Sequence, residues 1–471
     1  MQASTRMTTT AQPAHRSSLN RSILRAAISI GAVGVAVKLA ATAKEIAVAG
    51  VYGRSDAMDA FLAAALIPSL LVNLISESMN QALIPTLVRV REQEGRDRAQ
   101  QLLSNSMLSL CLLLIAASAL MALAAPVFFP LIASHFPAAK LALSIRLFYG
   151  LLPIVLMTGV AVNCAAVLNT LDRFALPALA PIVISVSVIA GALTLGARFG
   201  IWAMVYATLA GSLLHAALVA SMMHAHGYRF RLRWCGTTEA SREVCRQYGP
   251  VLLSGLVASG GLLVDQAMAA MLPSGSVSAL VYANRFVTVV VSLFAGAIST
   301  AIVPYISRVV AHRDWPACRH TLRTWVRLTA LVSVPIALLL IAGAHPLVRL
   351  VFQHGAFGPR DTAIVARALA MFAIQIPFFV VSRVFYRFIV AMRRTDLIFY
   401  CGAINLALDI VLNLVFMRLY GIAGIALATS LWMVATFFFL WYWSRRLLAA
   451  AIARDAQSPA GPCAPAPLVQ G

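Results

Sequence analysis

Residues 104–131, SNSMLSLCLLLIAASALMALAAPVFFPL, hold no Asp, Glu, Lys, Arg or His. A helix of that length runs about 42 Å at 1.5 Å per residue, enough to cross the ~30 Å hydrocarbon core of a bilayer. Its Leu, Ala, Ile and Val residues follow one another without the two-residue alternation of an outer-membrane barrel strand. The stretch therefore reads as a membrane-spanning α-helix. Similar apolar runs lie near 27–50, 60–87, 143–167, 177–197, 199–223, 249–272, 280–304, 327–347, 364–390, 398–417 and 422–443. Such repetition explains a 471-residue chain that is 61% hydrophobic and only 11% charged, with a mean hydropathy of +0.86. A soluble domain carries about 25% charged residues, so that class is excluded. The expected fold class is all-α: a polytopic membrane transporter with about 12 transmembrane helices.

The formal charge of +21 is unevenly placed. Most Arg side chains fall in alternate segments, 1–25, 88–98, 173, 224–246, 308–326, 393–394 and 445–454. The opposite loops hold only Arg54, Lys140, Arg198, Arg349, Arg360, Arg367 and Arg418. This bias predicts both termini in the cytoplasm. A basic face beside anionic lipid also explains the net charge without nucleic acid as a partner.

The longest polar insert, 224–248, divides the runs into two sets of six, a layout common in transporters built from related halves. The predicted organisation is a cytoplasmic tail (1–25), an N-lobe (26–223), a cytoplasmic linker (224–248), a C-lobe (249–444) and a cytoplasmic tail (445–471). QALIPTLVRV from Gln81 rhymes with STAIVPYISRVV from Ser299, each placing a proline and then an arginine at a span's exit. The 7 cysteines form no CxxC, and His224 with His226 lack a nearby carboxylate, so neither a disulfide scaffold nor a metal centre is expected. No Walker A, HExxH, GxSxG or dinucleotide fingerprint occurs, so no enzymatic step is expected.

Ionisable side chains within apolar spans are costly and mark function or internal pairing. Lys38 lies about 18 Å along a helix from either end of its span, too deep to snorkel comfortably. Glu45, seven residues on, returns to the same face and is expected to hold Lys38, while the neighbouring Lys44 points elsewhere. Asp59 and Glu77 occupy the second span, Arg146 the fourth, Asp265 the seventh and Arg285 the eighth. Arg383 and Arg387, one turn apart in the tenth, are secondary candidates with Arg146. Asn405 and Asp409 are spaced i,i+4 in the eleventh span, and with Asp265 offer hard oxygen ligands for Na⁺ or a shuttled proton. Each group also has a purely structural reading, as an internal ion pair or a helix–helix polar contact.

Four segments carry a family resemblance: AKEIAVAGVYGRSDAMDAFLAAALIPSLL (43–71), PSGSVSALVYANRF (273–286), VFQHGAFGPRDT (351–362) and NLALDIVLNLVFMRLYGIAGIALATS (405–430). Together with Glu77, Gln81 and Pro85 they resemble the MurJ/MviN lipid II flippases of the MOP exporter superfamily. The resemblance implies two six-helix lobes of MOP/MATE type around a cavity that opens alternately to each side. It implies a substrate, undecaprenyl-pyrophosphate-linked disaccharide-pentapeptide, moved to the outer leaflet under a membrane potential or cation gradient. Cavity arginines of the family fall on Lys38, Lys44 and Arg285 by charge, and its acidic positions on Glu45, Asp59 and Glu77. A paired-arginine position falls on Val72 and Asn73, and an aspartate position on Asn284. The family's sodium site falls on Asp265, Asn405 and Asp409. Family members commonly carry fourteen spans, the additional pair lining a groove for the lipid tail.

The expected function is lipid II flipping in the bacterial inner membrane, with Lys38, Lys44 and Arg285 facing the pyrophosphate. Asp59, Glu77 and Glu45 would organise charge and gating, and Na⁺ or H⁺ would be the coupling ion, with no other cofactor. The loss of two cavity arginines makes another polyprenyl-linked glycan, as in exopolysaccharide export, the alternative substrate. A non-transporting scaffold in envelope assembly is the alternative of a different class. Expected partners are the lipid-linked glycan and membrane lipids, with the chain acting as a monomer beside the envelope glycan synthesis machinery.

Overall fold

In the computed structural model, residues 14–133, 135–171 and 175–457 are described. Arg173, most of the C-terminal tail and the first half of the N-terminal tail lie outside them. The described residues contain helices and no strand. In chain order the helices are α1 (Ala14–Tyr52), α2 (Asp56–Leu71), α3 (Glu77–Gln93), α4 (Arg96–Ile132), α5 (Ala138–Leu151) and α6 (Pro153–Thr170). They continue with α7 (Ala175–Leu179), α8 (Ile182–Phe199), α9 (Trp202–Ala225), α10 (Glu239–Ala270), α11 (Ser276–Ala311) and α12 (Trp315–Ala342). The last are α13 (Ala344–Phe352), α14 (Pro359–Ala373), α15 (Gln375–Ala391), α16 (Thr395–Tyr420) and α17 (Ile422–Gln457).

Among the described residues, 10 helical segments are long and apolar enough to span a membrane. With α1 and α10, which occupy the places of the first and seventh apolar runs, they correspond to the twelve runs read from the sequence. The spans are not simple rods. A five-residue π-helical turn, Val72–Ser76, joins α2 to α3. Pro153 restarts the fourth span as α6, since proline fits the first turn of a helix but not its interior. The polar insert is shorter than the sequence suggests, because α9 runs to Ala225 and α10 begins at Glu239. Likewise α1 already begins at Ala14, inside the segment read as tail.

The chain divides into two units. Unit 1 comprises Met1–Ser259 with Ala270–Ser278 and Val351–Asp361; unit 2 comprises Gly260–Ala269, Ala279–Leu350 and Thr362–Gly471. In unit 1 an apolar core lies where α3, α4, α6 and α9 meet, with Leu83, Leu103, Leu110 and Val167 almost wholly buried. A second core packs Met58, Phe129, Phe148 and Val205. In unit 2, α15 packs on α12 and α17, burying Val380, Val384 and Phe388, while Phe437 meets the rings of Phe378 and Phe385. Ser430 Oγ donates to the Met371 carbonyl at 2.6 Å. The many exposed leucines, such as Leu123 and Leu131 on α4, belong on a surface that faces hydrocarbon rather than water.

Candidate functional site

Two buried polar clusters interrupt this apolar frame, one in each unit. The first begins where Gly53 turns the chain out of α1 with φ +56°, a left-handed conformation natural to glycine. Ser55 then caps α2 by accepting from the Met58 amide at 3.2 Å. This places Asp56 and Asp59 in the first turn of α2.

Asp59 is only 1% exposed, and both of its oxygens are engaged. Oδ2 accepts from Lys140 Nζ at 3.0 Å and from the Gly275 amide at 2.7 Å, while Oδ1 accepts from the Ser278 amide at 2.9 Å. Gly275 and Ser278 flank the first residue of α11, so the carboxylate satisfies amides at the positive end of that helix. Lys140 also lies 2.6 Å from Asp56 Oδ1, and its ammonium stands 4.2 Å from the centre of the Phe136 ring. Ser274 Oγ donates to Asp56 at 2.7 Å.

Beside it, Arg54 donates from Nε to the Gly275 carbonyl at 2.9 Å and from an Nη to Asp361 at 3.0 Å. The Ala356 amide donates to the Gly50 carbonyl at 2.8 Å. A Cβ at Gly53 would stand 2.6 Å from the Ala356 oxygen, so this approach requires glycine. The turn after α1, the start of α2 and Lys140 thus clamp the segments 270–278 and 351–361.

Sequence reasoning identified Asp59 but left Arg54 and Lys140 as loop cations. Lys140 is instead a buried counterion. The signal was present in the helical period: Lys140, Ser144, Leu147 and Leu151 recur at spacings of four, three and four, and all are buried. Glu45 forms an ion pair with Lys44, 3.1 Å away, whereas the heptad spacing suggested Lys38. The long lysine stem reaches an adjacent residue that helical directions alone would separate. Lys38 is half-buried and makes no ion pair with a described residue. Glu77 is exposed, as is Asn73 one turn before it. Arg285 is half-buried on α11 in unit 2, and Arg146 is exposed on α5. Arg383 stacks on Phe379 at 4.4 Å, and both Arg383 and Arg387 approach the Tyr386 ring at 5.9 Å.

The second cluster joins α10, α16 and α17 within unit 2. Asn413 Nδ2 donates to Asp265 Oδ1 at 2.8 Å and to Asp409 Oδ1 at 3.0 Å, and Thr429 Oγ1 donates to Asp265 Oδ2 at 3.2 Å. Asp409 is 2% exposed and Asn413 fully buried. Gly261 brings α10 close, since a Cβ there would lie 3.4 Å from Asp409 Oδ2.

Asn405, expected in this cluster, lies outside it. Its Oδ1 accepts from Thr436 at 3.0 Å and its Nδ2 approaches Cys401 Sγ at 3.7 Å. Asn413, one turn beyond Asp409 on the opposite side from Asn405, takes the place given to Asn405. The spacing Asn405, Asp409, Asn413 is symmetrical about the aspartate, so only tertiary packing distinguishes the two amides. Asp409 Oδ2 and Asn413 Oδ1 are buried without a hydrogen-bond partner. These two oxygens, with the Asp265 carboxylate and the Thr429 hydroxyl, form a donor set that fits a small hard cation or a proton.

The family described as Lipid II flippase MurJ matches residues 48–457 of the chain. The chain is 26% identical over 368 residues to "Lipid II flippase MurJ" of Burkholderia cenocepacia, covering 75% of this chain and 70% of that protein. It is 25% identical over 439 residues to "Probable lipid II flippase MurJ" of Vibrio cholerae, covering 88% and 81%. Among solved structures, "Lipid II flippase MurJ, inward closed conformation" shares the fold with a TM-score of 0.77 at 22% identity, covering 91% of each chain. A multidrug resistance MATE family transporter of the MOP superfamily, in an inward-facing conformation, aligns with a TM-score of 0.74 at 13% identity, over 91% of this chain and 99% of its own. A match that runs through α2 to α17, and so through both polar clusters, makes this chain a member of the MurJ family.

Proposed function

We propose that the chain flips lipid II from the inner to the outer leaflet of the bacterial inner membrane as a secondary transporter working by alternating access. The observation that carries this reading is the family match across residues 48–457, supported by relatives named for lipid II in several bacteria. Those names favour lipid II over another polyprenyl-linked glycan, and over a scaffold that transports nothing.

In this reading Lys38, Lys44 and Arg285 meet the pyrophosphate, where charge-assisted hydrogen bonds hold the headgroup without a covalent step. Lys38 suits that role because no described carboxylate neutralises it. Asp59, held by Lys140, takes part in organising charge and gating, and releasing it exchanges its hydrogen bonds for water. Glu45 and Glu77 adjust the charge of the inner path. Asp265, Asp409, Asn413 and Thr429 take the coupling cation, Na⁺ or H⁺, whose charge relieves the repulsion between two buried carboxylates. Both termini lie in the cytoplasm in this reading, which the arginine-rich ends support. The chain works as a monomer, supplied with substrate by the envelope glycan synthesis machinery.

The test is complementation of a strain depleted of its lipid II flippase, beside transport of fluorescent lipid II in reconstituted vesicles. Growth and leaflet transfer together support the reading. Rescue of exopolysaccharide export without growth would transfer the proposal to another glycan.

A further inference from the structure

The residues between α9 and α10 form no helix, yet they are held in place. Arg96 donates to the His226 carbonyl at 3.3 Å and lies 5.4 Å from the centre of the buried Tyr228 ring. Gln100 grips the backbone of Arg229 at both groups: its Oε1 accepts from the amide at 2.8 Å and its Nε2 donates to the carbonyl at 2.9 Å. Five residues along α4, Asn105 makes a similar grip, accepting from the Cys235 amide at 2.7 Å and donating to the Gly236 carbonyl at 2.8 Å. Two side-chain amides of α4 thus hold the segment as a neighbouring strand would.

Between the grips the sequence is Arg229-Phe230-Arg231-Leu232-Arg233-Trp234, and every one of these residues is exposed. Arginines alternate in sequence with Phe230, Leu232 and Trp234 along this segment. The three apolar side chains are 42%, 53% and 54% exposed. No Asp or Glu occurs in residues 224–238, and no described carboxylate pairs with these arginines. Arg231, Arg233 and Trp234 line a cavity of about 450 Å³ whose other wall is Gln100, Gln101 and Ser104 of α4. Its donors are the guanidinium forks of Arg231 and Arg233 and the Gln101 amide, since the Gln100 amide and the Ser104 hydroxyl already donate to the Arg229 and Gln100 carbonyls.

Asn105 is about 40 Å along α4 from Ile132, longer than a ~30 Å hydrocarbon core, so a helix that crosses the bilayer with its Ile132 end at one face carries Asn105 to headgroup depth at the other. Exposed aromatic and aliphatic side chains interleaved with arginines at that depth match the two halves of a lipid, acyl chain and phosphate.

We infer that residues 229–234, held on α4 by Gln100 and Asn105, form a binding site for anionic phospholipid of the arginine-rich leaflet. The lipid phosphodiester enters the cavity between Arg231, Arg233 and Gln101, and the exposed Phe230 and Leu232, with Trp234 in the cavity wall, meet the upper acyl chain. The site is separate from both polar clusters and independent of the transported substrate. Its assignment to the cytoplasmic leaflet rests on the orientation proposed above.

The test uses the full chain in nanodiscs, where both faces are accessible, so failure of the orientation does not affect the measurement. Tryptophan quenching by acyl-brominated phosphatidylglycerol is compared with quenching by acyl-brominated phosphatidylcholine, and Trp234→Phe isolates the contribution of Trp234. The expected result is preferential quenching of Trp234 by phosphatidylglycerol. That preference falls about fivefold for Arg231→Gln or Arg233→Gln alone and roughly 25-fold for the pair, as surface arginines contribute near an anionic leaflet. Gln100→Ala, which keeps all three arginines but releases the segment, also lowers it. Excess inorganic phosphate leaves it unchanged. Equal quenching by the two lipids, or an unaltered preference in the double variant, overturns the proposal. Displacement by inorganic phosphate also overturns it, by making the cavity a soluble-anion site.

Discussion

The ammonium of Lys140 lies 3.0 Å from Asp59 across a sequence separation of 81 residues, and both side chains are buried. Removing one partner of a buried ion pair leaves the other charge unsolvated, which costs about 3–5 kcal/mol, whereas removing both can be close to neutral. Lys140→Met is therefore expected to lower the thermal stability of the purified protein strongly. Asp59→Asn combined with Lys140→Met recovers part of that loss, because no buried charge is left unpaired; the single asparagine oxygen keeps one of the two amide bonds that Gly275 and Ser278 make to separate Asp59 oxygens. Thermal unfolding in detergent of the two single variants and the double variant checks this, and equal losses in all three would refute the coupling.

Gly53 joins α1 to α2 in a conformation that a side chain resists, with the Ala356 carbonyl in the space a Cβ would take. Gly53→Ala is expected to destabilise the clamp by about 1–3 kcal/mol. Hydrogen exchange should report it as faster exchange in residues 351–361 with little change in α8 or α9.

Asp265 and Asp409 share the Asn413 amide, whereas Asn405 bonds elsewhere. Asp409→Asn and Asn413→Leu are expected to lower cation-stimulated flipping about tenfold or more, on the scale of one or two hydrogen bonds to a charged group. Asn405→Ala is expected to leave the dependence on a cation gradient intact. Transport into vesicles with and without an imposed gradient distinguishes them, and a loss in Asn405→Ala matching that in Asn413→Leu would refute the assignment.

Lys38 makes no ion pair with a described residue, so its removal sacrifices no internal salt bridge. Lys38→Ala is expected to reduce lipid II transfer by about tenfold with little effect on the unfolding temperature, and Lys38→Arg to retain most activity. If Lys38→Ala lowered stability and transport in parallel, its role would be structural.

The spans were legible because hydrocarbon imposes a simple rule: apolar runs of about 20 residues have few other uses. Asp265 and Asp409 were legible for the converse reason, since a carboxylate within such a run needs a partner. Which partner it finds was not. Asn405 and Asn413 stand at equal spacing from Asp409, and the choice between them depends on how α16 faces Asp265 on α10. Lys140 was misplaced because a cation near the end of a span resembles a solvated loop charge until the opposing helix is known. The contacts of residues 270–278 and 351–361 with the start of α2 arise from tertiary structure, which no local period encodes.

The π-helical turn at Val72–Ser76 has a consequence for how the second span could have diverged. Because a wide turn accommodates a residue without unwinding its neighbours, the span behaves as two helical segments with separately adjustable azimuths. Inserting one residue into a regular helix rotates everything beyond it by about 100°. Absorbed here, the same change leaves Leu83, Leu87 and Val90 seated against α4 and α6 while Asp59 keeps its clamp. Asn73 and Glu77, both exposed, lie at the junction of the two segments, while Val72 and Ile75 of the same turn stay in the apolar core.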